Sequence, residues 1–411
     1  MTDRIIPTPS YPSLNAALTA AVNGDRIIFN SGTSYSGEVL HSFGSKINIE
    51  IRNQTGSEVS ISLDGGSYIA LGAGWSFSSA TAHKLNFSGG TTGAALLRAY
   101  NVVTGLIEDA TFTKSSGGLA AQIDASSSTA GMTLNRVELY AQAGQTNPTS
   151  TSCMMVRGNG RTATLTADNC LFENGAAGIY AIDGGSARGG TITVRRSIFK
   201  NLDYSINYSG LQSGGLDARF NLLYATNAYG KYGFNYNLSA GYTPTTLFYR
   251  NTIDVTTKAI KYTAGDSNSN AAIKGNWGAS IDTITGADQT DNSTTGTPGF
   301  TDQGNNDYSL LASSILIDIG FDTGDETDYA GESTPSGDAA DIGAYEYQQP
   351  AWLYGESPET EKDILIDFII NRVDNIGNNY NKNIPQIPYG YLVKSPYRPH
   401  KRSTPYTLTS K

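Results

Sequence analysis

Hydrophobic and polar positions along this chain follow a six-residue unit that returns again and again. It reads IEDATF (Ile107–Phe112), LNRVEL (Leu134–Leu139), ADNCLF (Ala167–Phe172) and VRRSIF (Val194–Phe199). It continues as ARFNLL (Ala218–Leu223), FYRNTI (Phe248–Ile253) and, fading, AIKGNW (Ala272–Trp277), with weaker copies ending at Leu63 and Phe87. From Phe87 on, the closing residues lie 25, 27, 33, 27, 24, 30 and 24 apart. A period that stretches and shrinks around a common value marks a solenoid whose turns carry loop insertions.

Alternate residues of a strand point to opposite faces. The first and sixth positions of the unit are mostly apolar yet five apart, so both reach one interior only if the strand turns a corner between them. Polar residues stand where that corner is expected: Asp109, Asn135, Asn169, Arg195 and Arg250. Short strands meeting at bends, once per coil, predict an all-β protein, a right-handed parallel β-helix. A helical solenoid needs longer runs with a 3.6 period, which are missing.

The chain divides into residues 1–33, a lead with a capping helix; 34–349, the β-helix and its closing cassette; and 350–411. Ser13 is placed to cap a helix that buries Leu14, Ala17, Leu18, Ala21 and Val22 and ends at Asn23-Gly24. Such a helix seals the first coil and hides its sheet edge. Beyond Pro350, Glu359–Val373 reads as an amphipathic helix, and the stretch from Asn375 holds six Lys/Arg, no acid and many Pro and Tyr. A segment of that composition is expected to lie on another subunit or a larger assembly.

Composition agrees with many tight corners and few charges: 46 Gly, 25 Tyr and only 16% charged residues. A net charge of −9 argues against a nucleic-acid partner. No apolar run reaches membrane-spanning length and no secretory signal opens the chain, so no membrane insertion is expected. Cys153 and Cys170 are too few for a disulfide framework, and Cys170 sits beside inward positions as a reduced core thiol.

The N-terminal stretch SLNAALTAAVNGDRIIF (Ser13–Phe29), with PGFTDQGNNDYSLLASSILIDIG (Pro298–Gly320) and DIGAYEYQ (Asp341–Gln348), closely resembles the capping and closing segments of bacterial and phage right-handed parallel β-helix proteins. The resemblance covers about residues 13–348 and extends to the phage tailspikes and pectin-lyase-like solenoids. It implies a virion protein of tailspike type: a homotrimer on the virion surface that binds, or binds and degrades, host surface polysaccharide. Residues 350–411 would contact other virion proteins, since the N-terminal lead is short for a particle-binding head. A non-enzymatic head or tail decoration or fibre protein, and a bacterial polysaccharide-active β-helix enzyme, remain as alternatives.

Candidate chemistry is sparse. The polygalacturonase and pectate-lyase signatures are absent, so no catalytic residue, cofactor or metal is assigned. Glu173, Asp183, Asp203 and Asp217 are loose acidic candidates; glycoside hydrolysis needs two carboxylates facing one groove. DTGDETD (Asp322–Asp328) is rich in oxygen ligands but lacks the spacing of an EF-hand loop, and reads as an acidic surface loop. Tyr224, Tyr229, Tyr232 and Tyr236 are a candidate sugar-stacking platform, with ring packing as the structural alternative. The fifth position of the unit, expected to face outward, turns apolar at Leu171, Ile198 and Leu222, with Phe220 nearby. This stripe is expected to be covered, either by a loop of the same chain or by a second subunit.

Overall fold

The computed structural model describes residues 1–348 apart from 33, 41–44, 66, 80–84, 90–94, 115, 184–189, 212–213, 227–229, 239–242, 264–267 and 326. The readings made above on residues 350–411, including the helix at Glu359–Val373, lie outside these described residues.

Three parallel sheets wrap one interior. An eleven-stranded sheet begins at Asp3–Ile6 and ends at Ala271–Lys274, and a ten-stranded sheet spans Ser34–Glu38 to Trp277–Gly278. An eight-stranded sheet runs from Ile69–Leu71 to Lys258–Tyr262. From Glu50 to Tyr262 each coil contributes one strand to each sheet, as in Ala163–Asp168, Leu171–Glu173 and Ala177–Asp183. The first half of the six-residue unit lies in the eleven-stranded sheet and the second half in the ten-stranded one.

Inward columns follow the unit. Phe87, Phe112, Leu139, Phe172, Phe199, Leu223 and Ile253 stack in register and are all buried. Rings of adjacent coils lie nearly parallel, Phe87 on Phe112 at 5.2 Å and Phe172 on Phe199 at 4.7 Å. Two copies are phased differently from the sequence reading. Ile61, not Leu63, pairs with Phe87. In the last coil Trp277 pairs with Thr252 and Gly278 with Ile253, so Trp277 occupies the fifth column rather than the sixth.

The corner lies at the third position of every copy. Asp109, Arg136, Asn169, Arg196, Phe220 and Arg250 all have φ between 47° and 54°, and Gly275 has 66°. The corner therefore falls one residue after Asn135 and Arg195. Left-handed backbone disfavours side-chain-bearing residues, so something must hold the turn. From Cys170 on, the next position does so through a hydrogen-bonded ladder that runs along the axis. Asn251 Oδ1 accepts from the Asn221 backbone N–H (3.1 Å) and Asn221 Nδ2 (2.9 Å). Asn276 Oδ1 serves Asn251 in the same way, and Asn292 Oδ1 serves Asn276. Each Nδ2 also donates to a carbonyl, Asn221 to Val194 and Asn251 to Ala218. Ser197 and Cys170 carry the column on toward the N-terminus.

The helix Leu14–Ala20 covers the first coil, with Ser13 Oγ accepting from the Ala16 N–H at 3.1 Å. Glu38 accepts from the Leu14 and Asn15 N–H groups, and the Lys46 ammonium donates to the carbonyls of Leu18, Thr19 and Ala21. Opposite charges thus meet the two ends of the helix dipole. Val22 lies past the helix and is exposed, contrary to its expected burial. Cys153 and Cys170 are buried and unpaired, as expected of core thiols, and burial pushes both up to about 12.

The outward stripe is covered by the same chain. Leu222 and Trp277 are buried with Phe300, Tyr308, Leu310, Leu316, Ile342 and Ala344 of the closing cassette, and half-buried Ile198 packs against this cluster. Phe220 is buried under the Arg250 guanidinium, which lies 4.8 Å from its ring centre. Leu171 is half-buried. Leu222 and Phe220 are therefore buried within this chain, Leu222 by the cassette some 80–120 residues on and Phe220 by Arg250 one coil later, contacts that no local pattern announces.

Candidate functional site

The tyrosine run splits among the three sheets because successive residues of each coil belong to different walls. Tyr224 lies on the ten-stranded sheet, its ring 5.7 Å from Tyr308 of the cassette. Tyr249 lies on the eleven-stranded sheet beside Phe321. Tyr229 lies outside the described residues. Tyr236 points inward, fully buried between Tyr208 and Tyr262, and shares a hydrogen bond with Thr246. Burial pushes the Tyr236 hydroxyl well above its ordinary range. Neither Tyr224 nor Tyr236 can serve in one platform with Tyr232.

Tyr232 remains, with partners that the run did not contain. It pairs in register with Tyr204 one coil earlier, and the two half-buried rings stack at 5.2 Å and 12°. The Lys261 ammonium stands 4.7 Å from the Tyr232 ring centre. Lys261 continues an outward column of the eight-stranded sheet, in register with Asn235, Asn207, Tyr180, Met155, Gln122 and Arg98. Within it Asn235 Nδ2 donates to Asn207 Oδ1 at 2.9 Å. Asp203, just before the Tyr204 strand, is buried and pairs with Lys231 at 3.4 Å. Burial, with Tyr232 and Asp203 beside it, pushes the Tyr204 hydroxyl up, so it is a neutral donor at physiological pH.

The parallel outward column reads Tyr100, Asp124, Arg157 and Ile182. Arg157 forks onto the buried Asp124 carboxylate. The face thus presents Lys261, the stacked Tyr204 and Tyr232 rings and Asn235, with buried Asn207 behind it and Arg157 and Lys231 committed to Asp124 and Asp203, spaced by coils of about 4.8 Å.

The acidic candidates do not converge. Glu173 pairs with Lys200 at 3.0 Å on the ten-stranded sheet. Asp217 holds Arg195 and Arg219 on the eleven-stranded sheet. The side chain of Asp183 lies outside the described residues. Asp124 and Asp203 flank the eight-stranded face but stand three coils apart, about 14 Å at the strand spacing, wider than the roughly 5–9.5 Å used for glycoside hydrolysis. In the DTGDETD loop Asp325 binds Arg195 and Arg219, and those guanidinium groups hold its carboxyl below the usual range. Asp328 is buried and accepts from the backbone of Glu332 and Glu346. The loop is a clamp between shaft and cassette rather than a purely acidic surface loop. Among the described residues no group of three His, Cys, Asp or Glu is placed to hold a metal ion.

A second concavity of about 210 Å³ is lined by Arg195, Arg196, Phe220, Asp325 and Thr327. Its guanidinium groups are committed: Arg196 to Asp168 and Thr327, Arg195 to Asp217 and Asp325.

Sequence reasoning missed Tyr204, Asn207 and Lys261. The available signal was the repeat period: Tyr204 and Tyr232 are 28 apart, as are Asn207 and Asn235, close to one coil.

No protein-family model and no curated protein sequence matches this chain. Among solved structures it is similar to the crystal structure of pectate lyase Pel9A, with a TM-score of 0.53 and 15% identity over 81% of this chain and 90% of that one. At such identity the likeness concerns the fold. Coil geometry, sheet order and this similarity agree that the chain is a right-handed parallel β-helix.

Proposed function

We propose that this protein is a polysaccharide-binding β-helix whose ligand lies along the outward face of the eight-stranded sheet. The observation that carries the reading is the Tyr204–Tyr232 stack beside Lys261 and the Asn207–Asn235 pair. Tyrosine rings offer apolar faces to the C–H side of a sugar, while amides and the ammonium engage hydroxyl or acidic substituents. The fold likeness to a pectate lyase is consistent with a polysaccharide ligand. The test is a panel of bacterial surface and plant cell-wall polysaccharides, screened for binding by wild type and by Tyr204→Ala/Tyr232→Ala. Binding by wild type that falls at least tenfold in the double variant supports the reading; equal binding by both refutes it.

The finer reading is a tailspike-type virion protein: a homotrimer on a phage surface, attached through residues 350–411. Its support is the likeness of the Ser13–Phe29 and Asp341–Gln348 segments to those of phage β-helix proteins. With Leu222 and Phe220 already covered, subunit contacts would have to use other surfaces. Light scattering of the purified chain tests the trimer, and removal of residues 351–411 tests attachment. A monomer, or normal particles carrying the truncated chain, would end this reading.

A further inference from the structure

The closing cassette, residues 298–348, is held by a dry cluster of unusual charge balance. Arg250 of the corner column is fully buried and pairs with Glu346, while its Nε donates to the Asp341 carbonyl at 3.0 Å. Asp341 and Asp328 are buried beside this pair. Glu346 accepts from the backbone of Ser336 (2.8 Å) and Asp341 (3.3 Å), and its own N–H donates to Asp328 Oδ2 at 2.7 Å. Asp341 accepts from the backbone of Asp318 (2.8 Å) and Tyr347 (2.6 Å). Glu346 alone pairs its carboxylate with the Arg250 guanidinium, while the Asp341 and Asp328 carboxyl groups lie buried beside it on backbone N–H donors. Half-buried Asp318 turns its carboxylate to the Ala339 N–H at 3.2 Å, Arg196 acts on Asp328 from the shaft, and the Tyr345 hydroxyl lies on the Asp328 side.

With the Arg250 and Glu346 charges paired, ionised Asp341 would be a buried charge without a cation of its own, and ionised Asp328 would have only Arg196, besides that pair, acting on it from the shaft. Burial of unpaired charge is costly, and the usual response is to retain a proton. We propose that residues 298–348 form a proton-sensitive strap, seated when the buried Asp341 and Asp328 carboxyl groups beside the Arg250–Glu346 ion pair hold a proton and loosened when both ionise. Loosening uncovers the outward stripe at Leu222, Trp277 and Ile198, an apolar face otherwise sealed inside the chain. The direction of titration agrees: burial, then the neighbouring Glu346, pushes Asp341 up to about 7, and burial pushes Asp328 up as well. An acid raised in the folded state stabilises fully below its unfolded pKa of about 3.9, and that contribution is lost as pH rises through the folded value. The sensitive window is therefore about pH 4 to 7. This inference stands apart from the glycan-binding face, which lies on another sheet.

Hydrogen exchange of the full chain at pH 5.5 and 8.5 tests it, with peptides from the shaft (residues 163–173 and 190–200) as the internal reference for intrinsic rates. Expected is a fall of about tenfold or more in protection of residues 314–347 relative to the shaft. A constant ratio across this range overturns the proposal. In Asp341→Asn, where Asp328 alone remains raised, the ratio should fall less steeply with pH than in wild type. A fall as steep as in wild type would also overturn it, and the wild-type series decides alone if that variant does not fold.

Discussion

Replacing Asn251 by Ala removes the middle rung of the corner ladder. Its side chain makes four hydrogen bonds in a fully buried site: two accepted from Asn221, one donated to the Ala218 carbonyl and one to Asn276 Oδ1. Truncation leaves the Asn221 N–H and one Nδ2 hydrogen without acceptors in the dry corner. Each orphaned buried donor costs roughly 1–3 kcal/mol, so the expected loss is about 3–5 kcal/mol with the weakened acceptors included. Asn292 makes three similar bonds at the half-buried end of the column, where water can replace a lost partner. Asn292→Ala should therefore cost only about 1 kcal/mol. Urea unfolding followed by far-UV circular dichroism measures both. Asn251→Leu conserves volume and should not rescue stability, which separates the polar contribution from cavity formation. If Asn251→Ala and Asn292→Ala fall within about 1 kcal/mol of each other, the ladder does not hold the left-handed corners as argued.

Other outcomes follow from single contacts. Native protein at pH 8 should resist iodoacetamide, because Cys153 and Cys170 are buried and pushed up to about 12; modification at a free-thiol rate would mean the coils open. Lys46→Met removes the ammonium that meets three carbonyls at the end of Leu14–Ala20. It should lower stability by about 1–2 kcal/mol, with early exchange confined to the first coils; loss spread evenly along the shaft would contradict a local cap. Leu222→Asp places a carboxylate against Trp277 and Phe300 under the cassette. It should cost at least about 3 kcal/mol and speed proteolysis within residues 298–348, whereas a wild-type cleavage pattern would argue that the stripe is not sealed there.

The architecture was legible because its signal is local and repeated. Inward residues such as Phe112, Phe172 and Phe199 recur at one coil length, and any periodic burial must be paid by periodic side chains. Corner phase was harder: Asn135 and Arg195 are polar and adjacent to Arg136 and Arg196, and only φ tells which of the two bends. The ladder residues Asn221, Asn251 and Asn276 carry no signal of their own in the sequence, since asparagine suits both solvent and a hydrogen-bonded interior. Trp277 falls one column earlier because Ile273, not Ala272, stands in register with Phe248. The candidate site was half legible. Tyr232 belonged to a conspicuous run, but that run crosses three walls, and Tyr236 has inward parity with Phe234. Tyr204 and Lys261 emerge only once adjacent coils are laid in register.

The face proposed to bind glycan admits one direct measurement: hydrogen exchange of the wild-type chain with and without a saturating polysaccharide from the binding panel. Protection should appear in residues 204–209, 232–237 and 258–262 of the eight-stranded sheet, and should vanish in Tyr204→Ala/Tyr232→Ala. Protection confined to the other two sheets, or identical in the double variant, would contradict the account.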